Sequence, residues 1–99
     1  MFRHVVMFRW TPDATAEAKA LVAAGLAELP HAIETIRAYE FGPDAGLAEG
    51  NWDFVVVADF DDIDGYIVYR DHPTHQGLIT ERIRPVVAER AALQYSLKD

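Results

Sequence analysis

Alternation of apolar and polar residues along the chain predicts four β-strands. In the third of them every second residue is apolar, so that one face is free of charge. The predicted strands are Phe2–Trp10, Ile36–Gly42, Trp52–Phe60 and Ala91–Leu97. The segment Gly42–Asn51 contains three glycines and one proline, and we expect a loop there.

Apolar residues spaced three or four apart predict three helices between these strands. The first is capped by Asp13 or Thr15 and runs to about Leu29, because Pro30 interrupts the pattern. The second begins in the acidic run 61–64. We expect its buried stripe to consist of Ile63, Tyr66, Ile67 and Arg70.

The third helix is predicted to begin at Pro73, since proline suits the first helical position. Its apolar stripe is expected to contain His75, Leu78, Ile79, Arg82 and Ile83. The resulting order β-α-β-β-α-α-β is typical of a ferredoxin-like α+β fold, in which helices cover one face of a four-stranded antiparallel sheet. We expect residues 1–99 to form one domain, because a chain of 99 residues lies within the usual range for one.

The second face of this sheet also needs a cover. It mixes charged and apolar side chains on the first and third strands, and these are Arg3, Val5, Met7, Arg9, Asp53, Val55, Val57 and Asp59. This set is too apolar to be left entirely in water. We therefore predict a homodimer packed sheet to sheet, which makes the fold a dimeric α+β barrel.

Charge and composition narrow the possible partners. The formal net charge of −7 argues against nucleic acid and anionic membranes, which both require basic surface. The absence of cysteine excludes disulfides, thiolate catalysis and sulfur-based metal sites. No segment has the length of a membrane span, and the amino terminus lacks a secretory signal pattern, so the expected location is cytoplasmic.

Two histidines and two tyrosines are the polar residues that the pattern directs toward the space between sheet and helices. His4 lies on the apolar face of the first strand and His75 on the stripe of the third helix, and Tyr66 and Tyr69 come from the second helix. Imidazole can take a proton, and a phenol can hold a carbonyl oxygen. The group suits proton abstraction beside a carbonyl. Purely structural histidines and tyrosines would give the same pattern.

Metal binding is not expected. His72 and His75 have helical spacing, but Pro73 places His72 at a cap, and the sequence supplies no third ligand. The aspartates in the run 61–64 suit a helix amino terminus better than a cation site. Phosphate-binding glycine loops, dinucleotide fingerprints and the nucleophile elbow of serine hydrolases are missing from the sequence.

Four segments together resemble one known family. They are Arg3–Phe8, Trp52–Phe60, Tyr69–His75 with its His-Pro-x-His stretch, and Arg84-Pro85 followed by a tyrosine-bearing strand. This combination is similar to the stress-responsive dimeric α+β barrel (Dabb) family, which includes olivetolic acid cyclase, a plant polyketide cyclase. The resemblance covers nearly the whole chain. It implies the same ferredoxin-like subunit and two-fold barrel.

The resemblance also implies site residues. The family's cyclase closes a poly-β-keto thioester by aldol condensation without a cofactor; its base resembles His75, and the group that holds its carbonyl resembles Tyr69. His4 resembles a further pocket histidine. The chain departs from the cyclase at three positions, where Leu26 replaces a tyrosine, Phe54 a histidine and Gln94 an aspartate. With Tyr66 and Leu78, these three are the predicted ligand-binding residues.

Three functions remain open at this point. The resemblance implies cofactor-free aldol chemistry on a small apolar carbonyl compound, with His75 as the base. A ligand-binding or stress-response dimer without turnover is the first alternative. A cofactor-free monooxygenase acting on an aromatic compound is the second.

Overall fold

The computed structural model describes residues 1–98, and within them the strands and helices follow the predicted order. The strands are β1 (Phe2–Trp10), β2 (Ala38–Pro43), β3 (Phe54–Phe60) and β4 (Val87–Ser96). The helices are α1 (Ala16–Ala32), α2 (Ile63–Asp71) and α3 (Pro73–Leu78), and α3 continues into a π-helical turn (Ile79–Ile83) and a 3-10 turn (Arg84–Val86). None of the helices in this part of the chain is long and apolar enough to cross a bilayer.

The four strands form one antiparallel sheet in the order β2-β3-β1-β4. The long β1 lies in the centre, with Val6 opposite Val56 of β3 and His4 opposite Gln94 of β4. Helices cover one face of this sheet, so the predicted ferredoxin-like α+β fold is confirmed.

Strand β2 was predicted as Ile36–Gly42 and is shifted to Ala38–Pro43. Two further boundaries also differ from the prediction. Helix α1 passes through Pro30 and ends at Ala32, because burial of Leu29 and Ile33 compensates for the hydrogen bond that proline cannot donate. Strand β3 begins at Phe54 instead of Trp52, whose ring lies 4.2 Å below the guanidinium of Arg9.

The predicted buried stripe of α2 is wrong at Ile63, Ile67 and Arg70, which are exposed, whereas Tyr66 does pack against the core. Ile63 and Ile67 are 56% and 36% exposed, and the fully covered residues are Gly65 and Tyr69. Gly65 lacks a side chain, so the helix approaches Phe60 closely, and a Cβ there would lie 3.4 Å from Phe60. Because α2 contacts the sheet through Gly65, Tyr69 points toward the sheet and both isoleucines remain exposed.

The stripe of the third helix is interrupted by the π-helical turn. Leu78 and Ile83 are buried, but Arg82 is exposed and donates to the carbonyl of Leu21 at 2.9 Å. Because a π-turn adds a residue to one helical turn, the regular spacing expected for the helix fails there. Helix α3 still packs closely on α1, where a Cβ at Gly25 would collide with Leu78.

Strand β4 begins four residues before its predicted start at Ala91. The added residues include Glu89 and Arg90, which lie opposite Arg9 and Phe8 of β1. Alternation therefore directs Arg90 to the helix-covered face, which carries Phe8, and Glu89 to the other face. This early start changes the composition of the candidate site.

The two sheet faces are packed differently. The helix-covered face contributes a set of buried residues to the core, namely Val6, Phe8, Phe54, Val56, Ala58 and Phe60. The opposite face, here called the open face, carries Val5, Met7, Val55, Val57, Leu93 and Tyr95. Leu93 and Tyr95 are 58% and 43% exposed. The chain thus leaves an apolar sheet face uncovered in the single subunit.

Candidate functional site

A pocket of about 520 Å³ lies between the covered sheet face and the segment from α2 to β4. The polar residues along its wall are His4, Tyr66, Tyr69, Arg70, His75, Gln76, Arg84, Glu89 and Arg90, although the carboxylate of Glu89 is paired with Arg9. Its apolar wall includes Val6, Phe8, Leu26, Ile79 and Ile83. The volume suits a small organic ligand, and the wall combines an apolar body with a few polar groups, as ligand sites usually do.

A hydrogen bond to the backbone defines the neutral tautomer of His75. Its Nδ1 lies 3.1 Å from the carbonyl oxygen of Arg70, at the end of α2. A carbonyl oxygen only accepts hydrogen bonds, so Nδ1 carries the hydrogen in the neutral ring and the lone pair remains on Nε2. This arrangement leaves Nε2 as a proton acceptor.

Tyr69 lies directly beside His75. The two ring centroids are 4.2 Å apart, and Tyr69 is only 2% exposed. Its hydroxyl lies 3.0 Å from the hydroxyl of Tyr39 on β2. When Tyr39 donates in this pair, the hydrogen of Tyr69 is available to an oxygen atom in the pocket. Burial raises the pKa of Tyr69 to about 12, so the phenol stays protonated at neutral pH.

His4 is held by a different partner. The side-chain amide nitrogen of Gln94 lies 2.8 Å from Nδ1 of His4, which is 4% exposed. Because an amide nitrogen donates, Nδ1 of His4 accepts, and the neutral ring carries its hydrogen on Nε2. His4 and His75 therefore have opposite tautomers, one offering a hydrogen and the other a lone pair.

Both imidazoles are neutral at physiological pH. Burial, followed by the positive charge of Arg90 and the neighbouring His75, lowers the pKa of His4 to about 4. The pKa of His75 is also lowered, first by burial, while the carbonyl of Arg70 opposes this change and Arg90 adds to it. A neutral His75 is the form that can accept a proton.

The structure brings five of the eight predicted site residues to the pocket wall: His4, Leu26, Tyr66, Tyr69 and His75. Gln94 reaches the site indirectly, through His4. Phe54 stacks on Phe8 in the core at 6.3 Å between ring centroids, and Leu78 packs against α1. These last two lie beside the pocket and do not line it.

Sequence reasoning missed Tyr39 and Arg90. Tyr39 belongs to a strand with few distinguishing features, and its alternation with Phe41 was the only signal that it faces the helices. Arg90 lies in the part of β4 where small and charged residues conceal the alternation. Knowledge of the early start of β4 would have placed Arg90 on the covered face.

His72 has a structural role at the start of α3. Its Nδ1 accepts from the backbone N–H of Thr74 at 3.1 Å, which caps the helix. Asp62 caps α2 in the same manner, accepting from Gly65 at 2.9 Å. Among residues 1–98, no three histidine or acidic side chains come together in a way that could hold a metal ion.

Comparison with protein families gives a match over nearly the whole chain. The family described as Stress responsive A/B Barrel Domain, or Dabb, matches residues 2–97. A search of curated protein sequences gives no match.

Solved structures with the same fold are numerous. A dimeric ferredoxin-like protein of unknown function from Thermobifida fusca YX is 44% identical, with a TM-score of 0.89 over 97% of this chain and 90% of that one. A Dabb family protein from Mesorhizobium loti is 20% identical, with a TM-score of 0.82 over 99% and 97% of the two chains. A hydroxynitrile lyase from Passiflora edulis is 15% identical, with a TM-score of 0.87 over 99% and 94%.

Proposed function

This chain belongs to the stress responsive A/B barrel domain (Dabb) family, and on that premise we propose that it is a homodimer whose pockets act on a small carbonyl compound without a cofactor. His75 is the base that removes a proton from the carbon next to the carbonyl. Tyr69 donates a hydrogen bond to the carbonyl oxygen. The observation that carries this proposal is the contact of these two rings, with Nδ1 of His75 held by a backbone carbonyl.

The proposed step balances within the pocket. As Nε2 of His75 takes the proton, the C–H electron pair forms a carbon–carbon double bond and the carbonyl oxygen becomes an enolate oxygen. Tyr69 stabilises that oxygen by hydrogen bonding, supported by Tyr39 behind it. The enolate carbon can then regain a proton or attack a second carbonyl, which is the aldol reaction.

Burial supports the choice of His75 as the base. A protonated imidazole would lose hydration in the pocket and face the positive Arg90, so the ring remains neutral and ready to accept. The aspartate that the related cyclase places near its histidine is Gln94 here, which contacts His4. His75 is therefore oriented by the backbone carbonyl of Arg70 instead of a carboxylate.

The dimer is proposed to form through the open face. Half-buried and exposed apolar side chains dominate it, and a relative 44% identical is described as dimeric. Two of its charged groups are already paired, because Arg3 donates two hydrogen bonds to Asp59 at 2.7 and 2.9 Å. A paired charge is less costly to cover than a free one. The ligand pocket lies on the other face, so both sites of the dimer stay accessible.

Hydrogen exchange tests the base directly. In D2O, the wild-type protein should catalyse deuterium incorporation next to the ketone of 3-benzoylpropanoate, followed by proton NMR. We expect His75→Ala to lower the rate by about 100-fold or more, the usual contribution of a general base. The matched control is His31→Ala, because His31 is exposed on α1 and outside the pocket.

The thermal unfolding midpoint separates the alternatives. If His75→Ala unfolds the protein and the wild type shows no exchange, His75 is structural and the proposal fails. Binding of the ketone without exchange would indicate the ligand-binding alternative. Oxygen consumption with a panel of phenols would indicate the monooxygenase.

A further inference from the structure

Basic residues are concentrated at the pocket although the protein is acidic. The chain has 9 basic residues against 16 acidic ones, and three of the basic residues, Arg70, Arg84 and Arg90, line this pocket. Because acidic residues outnumber basic ones, composition alone does not explain why a third of the basic residues lie at one pocket. This concentration calls for an explanation from the site itself.

Two carboxylates close in sequence to these arginines already have partners. Asp71 accepts two hydrogen bonds from Arg70, at 2.8 and 3.1 Å. Glu89 pairs with Arg9, with 3.8 Å between Oε2 and Nε. The four salt bridges within residues 1–98 use other arginines, and they leave Arg84 and Arg90 without a carboxylate partner.

Arg90 is the better placed of these two. It lies opposite Phe8 on the covered face of β4, and Phe8 is itself part of the pocket wall. Its charge acts on the pocket's functional groups, because it lowers the pKa of both His4 and His75. The residue is exposed at the pocket wall and has no salt-bridge partner within residues 1–98, so its guanidinium is free to bind an incoming anion.

Building on the proposed function, we propose that the ligand of this pocket is a keto acid: a carbonyl compound with an apolar body and a carboxylate that Arg90 binds. A guanidinium presents paired N–H groups that match the two oxygens of a carboxylate. The apolar body would lie against Leu26, Ile79 and Ile83, and the carbonyl would reach Tyr69 and His75. Arg84 adds positive charge at the same wall.

Two ligands that differ only in charge test this assignment. Binding of 3-benzoylpropanoate and of its methyl ester is measured by calorimetry with the wild type, Arg90→Gln, Arg90→Lys and Lys98→Gln. The last variant removes one positive charge at an exposed position outside the pocket. Circular dichroism and thermal unfolding confirm that each variant is folded.

We expect the wild type to bind the acid about 10- to 100-fold more tightly than the ester, as charge-assisted hydrogen bonds allow. Arg90→Gln should remove this preference and leave ester binding unchanged. Arg90→Lys should retain part of it, and Lys98→Gln should retain all of it.

NMR titration of the histidines gives a second readout that does not need turnover. Since the positive charge of Arg90 lowers the pKa of His75, binding of the acid should raise that pKa in the wild type, and the ester should not. Arg90→Gln should raise it without any ligand. An unchanged pKa in Arg90→Gln would show that Arg90 does not face the site.

The outcomes separate this inference from the proposed function. If the acid and the ester bind equally well, the ligand need not be an anion, and the inference fails while the carbonyl site stands. If only the exchange rate falls in Arg90→Gln, Arg90 stabilises the enolate and the carboxylate assignment is overturned. If neither ligand binds or shifts the histidine resonances, both proposals fail.

Discussion

The two faces of the sheet stabilise these polar groups in different ways. On the covered face, His4, Tyr39 and Tyr69 stay neutral and are satisfied by hydrogen bonds to other uncharged groups. On the open face, the charged side chains of Arg3 and Asp59 compensate each other. The pairing lowers the pKa of Asp59 below its ordinary value.

This difference follows from what each face must do. A buried pocket keeps its histidines neutral, because charge without hydration is costly, and neutral imidazole is the reactive form. A face that meets a second subunit can keep charges if they are paired before it is covered. The neutral groups on the covered face therefore fit the proposed ligand site, and the paired charges on the open face fit the proposed interface.

The largest expected effect comes from placing a charge on the open face. Val57 lies at its centre, opposite Val5 of β1 and Glu40 of β2. Val57→Asp would bury an uncompensated carboxylate in the proposed dimer, beside the acid of Glu40. We expect the dimer dissociation constant to rise by at least about 100-fold. Light scattering over a dilution series measures it.

The matched control for this substitution is Ala24→Asp, because Ala24 is exposed on α1. That variant should have the dissociation constant of the wild type. A Val57→Asp protein that remains dimeric at the wild-type concentration would exclude the open face as the interface.

The next effect is a loss of stability in mild acid that originates on the covered face. The pKa of His4 falls from 6.5 to about 4 on folding, so the unfolded chain binds a proton first as the pH decreases. The free energy of unfolding should decrease by about 2 kcal/mol between pH 7 and pH 5 and be nearly constant above pH 7. The lowered pKa of His75 adds to this loss.

Urea titrations at several pH values measure this slope, and His4→Phe should reduce it. The groups that face His4 are Tyr66, Tyr69, His75, Gln94 and Arg90. Of these, His75 also has a pKa below its ordinary value, so its contribution remains in His4→Phe. An unchanged slope in that variant would show that His4 is not buried in the neutral form.

A smaller effect is expected from the tyrosine pair. Tyr39→Phe removes the hydrogen bond to Tyr69 and should destabilise the protein by about 1 kcal/mol, the usual net value of one hydrogen bond. The same bond lowers the pKa of Tyr69, so the variant should also exchange deuterium into the ketone more slowly. Chemical unfolding and the exchange rate are the two measurements.

The open face supplies the control for this variant. Tyr95→Phe changes the same functional group on a side chain that is 43% exposed and outside the pocket. It should leave the exchange rate unchanged. Equal exchange rates in Tyr39→Phe and the wild type would remove Tyr39 from the proposed site.

The smallest effect is expected on a surface that belongs to neither face. Leu21 is 52% exposed on α1, and Leu21→Ala should change the free energy of unfolding by no more than about 0.5 kcal/mol. Chemical unfolding checks this value. A larger loss would mean that the outer side of α1 is covered by something, such as a further subunit.

Periodicity was sufficient for the strands with strong alternation but not for helices with unusual contacts. β1 has its predicted limits, and the sheet order follows from the sequence of elements. The stripe of α2 was wrong because its contact uses Gly65, and a method that looks for apolar side chains overlooks a glycine. The π-helical turn after α3 has no spacing signal of its own.

The candidate site was visible in part. His4, Tyr69 and His75 stand out because polar residues at apolar positions are unusual, and the fold does bring them to one pocket. The partner of His4, the tautomers and the pairing of Tyr39 with Tyr69 depend on distances across strands that are far apart in sequence. Arg90 required the correct start of β4. Such details come from packing and not from local pattern.

Strand β4 also has a consequence for how this sequence can change in evolution. Neighbouring residues on it serve different faces, with Glu89 paired to Arg9 and Arg90 at the pocket. Deleting or inserting one residue in this strand would exchange the two sets of side chains, since strands have a period of two. A point substitution in β4 changes a side chain on one face only, whereas a change in its length would alter the proposed subunit contact and the proposed ligand site together.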